Sequence, residues 1–170
     1  GPFLTTWRLQ DLRRSKQATL RDLVKVEEPV FLVNNMSGLD LARSWDAVRK
    51  TRHRTPKEDF LFFKKHYIHH VGPLWVAGKV LIATPEPTDF EVVVSGTYTI
   101  ESKQSIQIDG LEYSPDSTIV LTSGMHQLQG TPGGTKEIFT LRFGDHLSRP
   151  ELSNPRRKLF RSANHPVRPK

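Results

Sequence analysis

The sequence predicts an α+β fold, in which a helical or αβ-like N-terminal part is followed by an antiparallel β-sandwich or meander. Helical spacing of apolar residues dominates residues 3–83. From Pro85 onward, short β-rich runs alternate with Gly, Asp-Gly, Pro-Asp and Gly-Gly turn signals. The chain has 170 residues, of which 36% are apolar, and this suffices for the core of one domain with a small annex.

Three parts follow from these shifts in composition. Gly1 and Pro2 match a protease scar and are set aside. Residues 3–83 form the helical or αβ-like part, and residues 84–146 form the β module. Residues 147–170 are polar, proline-rich and without periodicity, which predicts a basic, flexible tail.

The N-terminal part is expected to begin with a helix. Residues 5–26 carry apolar residues at helical spacing, with an interruption near Ser15. The apolar run at 29–35 predicts a buried strand. Residues 36–52 again have helical spacing, and Asn35 or Ser37 would cap that helix.

A further helix is expected over 54–72. Thr55 followed by Pro56 and Glu58 is a helix-start pattern, and Gly72-Pro73 would stop the helix. The apolar segment 73–83 then predicts a strand with a turn or bulge at Gly78-Lys79.

The β module contains residues that a catalytic site could use. Asp109-Gly110 lies between alternating apolar residues, which is the signal of a tight hairpin, and Pro115-Asp116 predicts the next turn. We therefore interpret Asp109 and Asp116 as turn residues. For His126 the spacing favours a bond to a neighbouring turn over contact with a ligand.

The segment HYIHH at 66–70 offers three histidines. On a helix, His66 would share a face with His69 or His70, which is a geometry that binds zinc or copper. A third ligand would have to come from His126, Asp59 or Glu58. We favour structural roles at the helix end, and predict no metal and no cofactor.

Two asparagines follow the predicted strand at 29–35. Asn34 and Asn35 lie where αβ units place ligands, and their amides could bind sugar hydroxyls. Capping of the next helix is the favoured alternative.

The positive charge of the chain is concentrated in the tail. Seven of the 25 Lys and Arg residues lie in 147–170 against one acid, whereas the rest of the chain is nearly neutral. The body is therefore not expected to bind nucleic acid specifically. Cations around Leu159 and Phe160 suit an anionic membrane surface or nucleic acid, and a solvated tail is the favoured alternative. These cations are Arg156, Arg157, Lys158 and Arg161.

Two longer patterns resemble known families. HYIHHVGPLWVAGKVL (66–81) and FEVVVSGTYTIES (90–102) look like the soluble C-terminal region of bacterial polytopic membrane glycosyltransferases. SIQIDG and TIVLTSGMHQL resemble the small PEGA-type β modules of bacterial envelope proteins. The resemblance implies a periplasmic location at the inner membrane, as part of a membrane protein, and a glycan, lipid-linked sugar or acceptor as partner.

The leading hypothesis is a non-catalytic domain of an envelope glycosyltransferase or glycan-assembly protein that binds or positions such a partner. No Gly-x-Ser-x-Gly, P-loop or dinucleotide motif is present, and no catalytic residue is predicted. The alternatives are a protein–protein interaction module of an envelope assembly and a metal-dependent enzyme that uses HYIHH. The candidate ligand-binding residues are Asn34, Asn35, His66, Tyr67, His69, His70, Trp75 and His126.

Overall fold

The computed structural model describes residues 3–5, 20–33, 46, 57–131 and 136–148. Within these ranges two short helices accompany eleven strands. The helices are α1 (Leu20–Glu27) and α2 (Lys57–His66). The strands are β1 (Phe3–Thr5), β2 (Phe31–Val33), β3 (Tyr67–Val71), β4 (Leu74–Ala83), β5 (Thr88–Val92), β6 (Gly96–Glu101), β7 (Ile106–Ile108), β8 (Leu111–Tyr113), β9 (Thr118–Leu121), β10 (Gly124–Gln129) and β11 (Glu137–Phe143).

The strands form two sheets. The larger has seven strands in the order β1-β2-β4-β11-β6-β9, with β3 also paired to β4. The smaller has the order β5-β10-β7-β8. Strands β1 and β2 pair in parallel, and the other strand pairs in the described ranges are antiparallel. The described chain is therefore α+β with mostly antiparallel sheets.

Strand β4 is the centre of the larger sheet. Its first half pairs with β2 and β3, and its second half pairs with β11. The strand continues through Gly78 and Lys79, so the predicted turn or bulge at this pair is wrong. The glycine has a packing role instead, since a Cβ at Gly78 would lie 2.5 Å from the carbonyl oxygen of Leu141. The close approach of β11 therefore requires a residue without a side chain.

The helix predicted over 54–72 is shorter than expected. Helix α2 ends at His66, and residues 67–71 form β3. Tyr67 and Ile68 pair with Ala77 and Val76 of β4, so burial in a sheet outweighs the helical spacing. The predicted shared helix face of His66 with His69 or His70 is consequently wrong.

The N-terminal predictions are confirmed in part. Helix α1 overlaps the last part of the helix predicted over 5–26 and ends one residue later, at Glu27, but Thr5 ends a strand, β1, that the sequence did not predict. The buried strand expected at 29–35 is confirmed as β2, in which Leu32 is fully buried. The helix predicted at 36–52 lies outside the described residues, except for residue 46.

The strands predicted between residues 84 and 146 are confirmed one by one. The predicted β-rich runs between 88 and 143 become β5 to β11. Asp109 and Gly110 have φ of 52° and 80°, so they form the tight turn of the β7–β8 hairpin. Asp116 has φ of 57° and builds the turn before β9.

Two groups of buried side chains form the core. One joins both helices to β2, β3 and β4, and its fully buried members include Val24, Phe60 and Phe63. The other draws on strands of both sheets and includes Phe90, Ile108 and Phe139. No helix in the described ranges has the length and apolar character needed to cross a membrane.

Candidate functional site

Two ionisable side chains are buried where the helices meet the sheets. His66, the last residue of α2, is 3% exposed, and Lys79, in the middle of β4, is 8% exposed. Together with Glu91 of β5, they line a cavity of about 10 Å³. Three elements that are separate in sequence thus bring a histidine, a lysine and a carboxylate to one place.

Lys79 is held by a backbone carbonyl. Its Nζ donates a hydrogen bond of 2.6 Å to the carbonyl oxygen of Glu91 and lies 6.0 Å from the centroid of the Phe90 ring. Burial lowers the pKa of Lys79 to about 8; the charge of Lys65 adds to this effect and that of Glu91 opposes it. At pH 7 about a tenth of the amine is therefore neutral, whereas an exposed lysine is neutral in well under one part in a thousand.

His66 is neutral at physiological pH. Burial and the charge of Lys79 lower its pKa to about 3, against the opposing attraction of Glu91. Its Nε2 lies 3.7 Å from Oε2 of Glu91, which is too long for a hydrogen bond, and no other hydrogen-bond partner is found within the described ranges. A cavity of this size is near the lower limit for one water molecule. The cluster thus contains a neutral imidazole that is a weak base at physiological pH.

Glu91 carries the negative charge of the cluster. Its Oε1 lies 3.0 Å from Nζ of Lys25, on α1. This hydrogen bond lowers the pKa of Glu91 despite partial burial. Glu91 is therefore a carboxylate at neutral pH, and its charge is balanced by Lys25 more than by His66.

A groove of about 360 Å³ adjoins the cluster, and we call it the lysine groove. It shares Lys79, Phe90 and Glu91 with the small cavity. Its charged lining residues are Lys64, Lys65, Lys79, Asp89 and Glu91. Its apolar lining residues are Ile68, Val80, Leu81, Phe90 and Met125. The volume is within the range of small-molecule sites, and the lining suits a ligand with an anionic group and an apolar face.

His126 belongs to a second polar cluster, on the smaller sheet. Its Nδ1 lies 2.6 Å from Oδ2 of Asp109, and its Nε2 lies 2.8 Å from the carbonyl oxygen of Thr122. Both partners are acceptors, so both bonds form only when the ring carries two protons. The backbone N–H of Gln127 donates to Asp109 Oδ1 at 2.8 Å. Partial burial acts to raise the pKa of Asp109. The hydrogen bonds from Gln127 and His126 outweigh this effect, so the pKa of Asp109 is lowered. The cluster connects the turns that contain Asp109 and Thr122 to β10. His126 therefore bonds neighbouring turns, as its spacing in the sequence favoured.

The other predicted ligand residues have structural contacts. Tyr67 is buried and donates from its hydroxyl to the carbonyl oxygen of Pro29 at 2.7 Å. Trp75 is buried, with its ring 5.4 Å from that of His69. His69 is exposed and its Nε2 lies 3.0 Å from the carbonyl oxygen of Gly72. His70, on the same strand, is half-buried.

The three histidines of HYIHH therefore do not converge. His66 belongs to the cavity, whereas His69 and His70 lie on β3. In the part of the chain that the structure describes, no three His, Cys, Asp or Glu side chains are placed to hold a metal ion. Asn34 and Asn35 lie outside the described residues, as do the cations of the tail, which are Arg156, Arg157, Lys158 and Arg161.

Of the three ionisable residues of the cluster, only His66 is a candidate from the sequence, and Lys79 and Glu91 are not. A signal for Lys79 exists, because it occupies the same face of β4 as Trp75, Ala77 and Ala83, which are all buried. A lysine at a core-facing position of an apolar strand is a recognisable exception. No comparable signal marks Glu91, whose role depends on contacts with α1 and β4.

Comparisons with known proteins do not identify the chain. No family model matches it, and neither a curated protein nor a solved structure does.

Proposed function

We propose that this chain is a non-catalytic domain of a bacterial envelope glycosyltransferase or glycan-assembly protein, and that the lysine groove binds the phosphate-bearing part of a lipid-linked sugar. One observation carries this proposal. The side chains of Lys64, Lys65 and Lys79 line a single groove that also has an apolar lining.

The chemistry of the groove fits such a ligand. Lysine ammonium groups bind phosphate through charge-assisted hydrogen bonds. The apolar residues, among them Val80 and Met125, offer a surface to a sugar face or to the first carbons of a lipid. The carboxylates of Asp89 and Glu91 accept hydrogen bonds from sugar hydroxyls.

The proposed location is the periplasmic side of the bacterial inner membrane, as part of a membrane protein. Its support is the resemblance of residues 66–81 and 90–102 to soluble regions of membrane glycosyltransferases. In this proposal the basic residues of 147–170 contact the anionic membrane surface, which would bring the groove near a lipid-linked ligand.

We also propose that the two sheets stack as a β-sandwich. The support is the second core group, which contains Ala83 and Phe139 from the larger sheet together with Phe90 and Leu128 from the smaller one. Side chains from two sheets in one core are typical of that architecture.

The experiment is a binding titration with geranyl phosphate, glucose 1-phosphate and glucose, followed by NMR or calorimetry. We expect the two phosphates to bind and glucose alone to bind at least about tenfold more weakly. A double variant, Lys64→Gln with Lys65→Gln, should weaken phosphate binding by about tenfold or more. The matched control is Lys103→Gln, an exposed lysine that does not line the groove. Equal binding of glucose and its phosphate, or equal loss in the control, would refute the proposal.

A second candidate function, a protein–protein interaction module, is favoured by an aliphatic patch. Val80, Ile82 and Ile138 are 59%, 52% and 70% exposed, and Ile138 lies opposite Ile82 in the β4–β11 pair. Contiguous exposed aliphatic residues are typical of interaction surfaces. Replacing Ile138 with Lys should abolish self-association or partner binding if the patch is an interface, and an unchanged sedimentation profile and partner affinity would exclude it.

A further inference from the structure

Lys79 differs from the other lysines of the described chain in its surroundings. Lys25, Lys57, Lys64, Lys65, Lys103 and Lys136 are exposed, whereas Lys79 is buried. It nevertheless lines both the lysine groove and the small cavity. It is therefore a buried amine that a small molecule in the groove can approach.

We propose that Lys79 is a covalent attachment site, at which its amine captures an aldehyde or ketone that carries an anionic group, as a reversible imine. The anionic group would be held by Lys64 and Lys65, which line the same groove. The proposal shares the groove with the function proposed above but does not depend on it, because a phosphorylated aldehyde need not be a lipid-linked sugar.

The surroundings of Lys79 favour the neutral amine that the reaction needs. Burial lowers the pKa of Lys79 to about 8, and the positive charge of Lys65 acts in the same direction. Desolvation next to other cations is how lysine nucleophiles are activated. The acceptor of the Nζ hydrogen bond is a neutral carbonyl of Glu91. The carboxylate of Glu91 opposes the shift, but Lys25 partly balances its charge.

Imine formation at Lys79 needs no reactant besides the amine and the carbonyl compound. The neutral Nζ attacks the carbonyl carbon, and the electron pair of the C=O bond moves to oxygen. A proton passes from nitrogen to that oxygen and gives a carbinolamine. Loss of the hydroxyl group with the second nitrogen proton, as water, then forms the C=N bond. The balance is amine plus carbonyl to imine plus water, with no redox change.

His66 lies beside Lys79 as a neutral imidazole, and with a pKa of about 3 it does not take up a proton near pH 7.5. Its Nε2 has no hydrogen-bond partner among the residues that the structure describes, and the ring lines the same cavity as Lys79. We therefore assign it as a positioning residue, whose ring nitrogen can hydrogen-bond the reacting groups, and which should alter the rate of imine formation and leave its equilibrium unchanged.

The experiment uses pyridoxal 5′-phosphate as the probe on the full chain at pH 7.5, with borohydride reduction and peptide mapping by mass spectrometry. We expect the reduced adduct at Lys79 at least about tenfold above that at Lys103, because a larger share of Lys79 is neutral. The rate at Lys79 should rise through a midpoint near pH 8. Labelling of Lys79 at or below the level of Lys103 in the wild-type chain would overturn the proposal, and this measurement needs no variant.

Variants separate the roles. Lys79→Arg should remove the imine absorbance. Lys64→Gln with Lys65→Gln should reduce labelling by pyridoxal 5′-phosphate but not by pyridoxal. His66→Gln should slow imine formation at least about threefold at unchanged final occupancy. If the imine forms at Lys79 but no sugar phosphate binds, the function proposed above is refuted and the attachment site is retained. Unaltered absorbance in Lys79→Arg would refute the attachment site.

Discussion

Nζ of Lys79 and the carbonyl oxygen of Glu91 are joined by a hydrogen bond of 2.6 Å that links β4 of the larger sheet to β5 of the smaller sheet. The bond brings a charged side chain into a largely apolar region, beside Phe90 and Leu81. Burial of the ammonium group is unfavourable, so this contact should make the stability of the protein depend on pH.

We predict that Lys79 makes the protein more stable as the pH rises from 8 toward 10. Its pKa is about 8 in the folded state and 10.5 in the reference state, so the unfolded chain binds more protons between these values. The free energy of unfolding should therefore increase in this range, by a few kcal/mol at most. Urea denaturation at pH 7, 8, 9 and 10 measures it.

The variant Lys79→Met should lack this increase. Tyr67 and Tyr98 have pKa values raised by burial, and their contributions decline only above about pH 10, where the unfolded chain ionises. A wild-type stability that stays flat or falls from pH 8 to 10, with no difference from Lys79→Met, would contradict a lysine buried in this way.

We predict that His66 destabilises the protein between pH 6.5 and 4.5. Its pKa of about 3 in the folded state lies below the reference value of 6.5, so the unfolded chain binds the extra proton first. Stability is therefore lost as the pH falls through this window, by roughly 2–3 kcal/mol at pH 4.5. The variant His66→Gln should reduce the slope. Three carboxylates also have lowered pKa values, but their reference pKa values are 4.5 or lower. They therefore change the stability mainly below pH 4.5. These residues are Glu28, Glu91 and Asp109. Identical slopes in the variant and the wild type would exclude a buried neutral His66.

We predict that Gly78→Ala lowers the free energy of unfolding by roughly 2–3 kcal/mol. The new Cβ would lie 2.5 Å from the carbonyl oxygen of Leu141 and 2.8 Å from Cδ1 of Ile68, so β4 or β11 must shift. The comparison is Gly124→Ala, which has open space around its Cβ and a φ of +142°. That variant should cost less, about 1 kcal/mol from backbone strain alone. The reverse order of the two losses in urea denaturation would show that β4 and β11 are not packed this closely.

We predict that Asp109 and His126 are energetically coupled. Asp109→Asn keeps a residue that tolerates the left-handed conformation of the turn, but it removes the charge that faces Nδ1 of His126. A double-mutant cycle with His126→Gln should give a coupling of about 1 kcal/mol at pH 7, measured by urea denaturation. Losses that simply add would mean that the 2.6 Å contact contributes nothing to stability.

The sequence by itself determined the elements whose signals are local. Asp109-Gly110 fixes the β7–β8 hairpin because a glycine, next to an aspartate that tolerates positive φ, is compatible with few other conformations. The alternating apolar runs fix the strands from β5 to β11, since the period of two places one face of each strand in a core.

The end of α2 was misjudged because its signal is not local. Tyr67 and His70 continue the helical spacing of Phe60 and Phe63, but pairing with β4 buries Tyr67 more effectively in a strand. Similarly, Gly78 is a turn signal in the sequence, whereas in the structure it allows the close approach of β11. Each outcome depends on a partner strand.

The sequence made His66 a candidate residue, but the assembly of the site depends on tertiary contacts. His66, Lys79 and Glu91 come from α2, β4 and β5, and no spacing rule relates them. Their chemistry also depends on burial, because the low pKa values of His66 and Lys79 arise mainly from removal of their charged forms from water. The sequence supplied an imidazole and an amine of ordinary basicity, and the packing of two helices and two sheets changed what they can do.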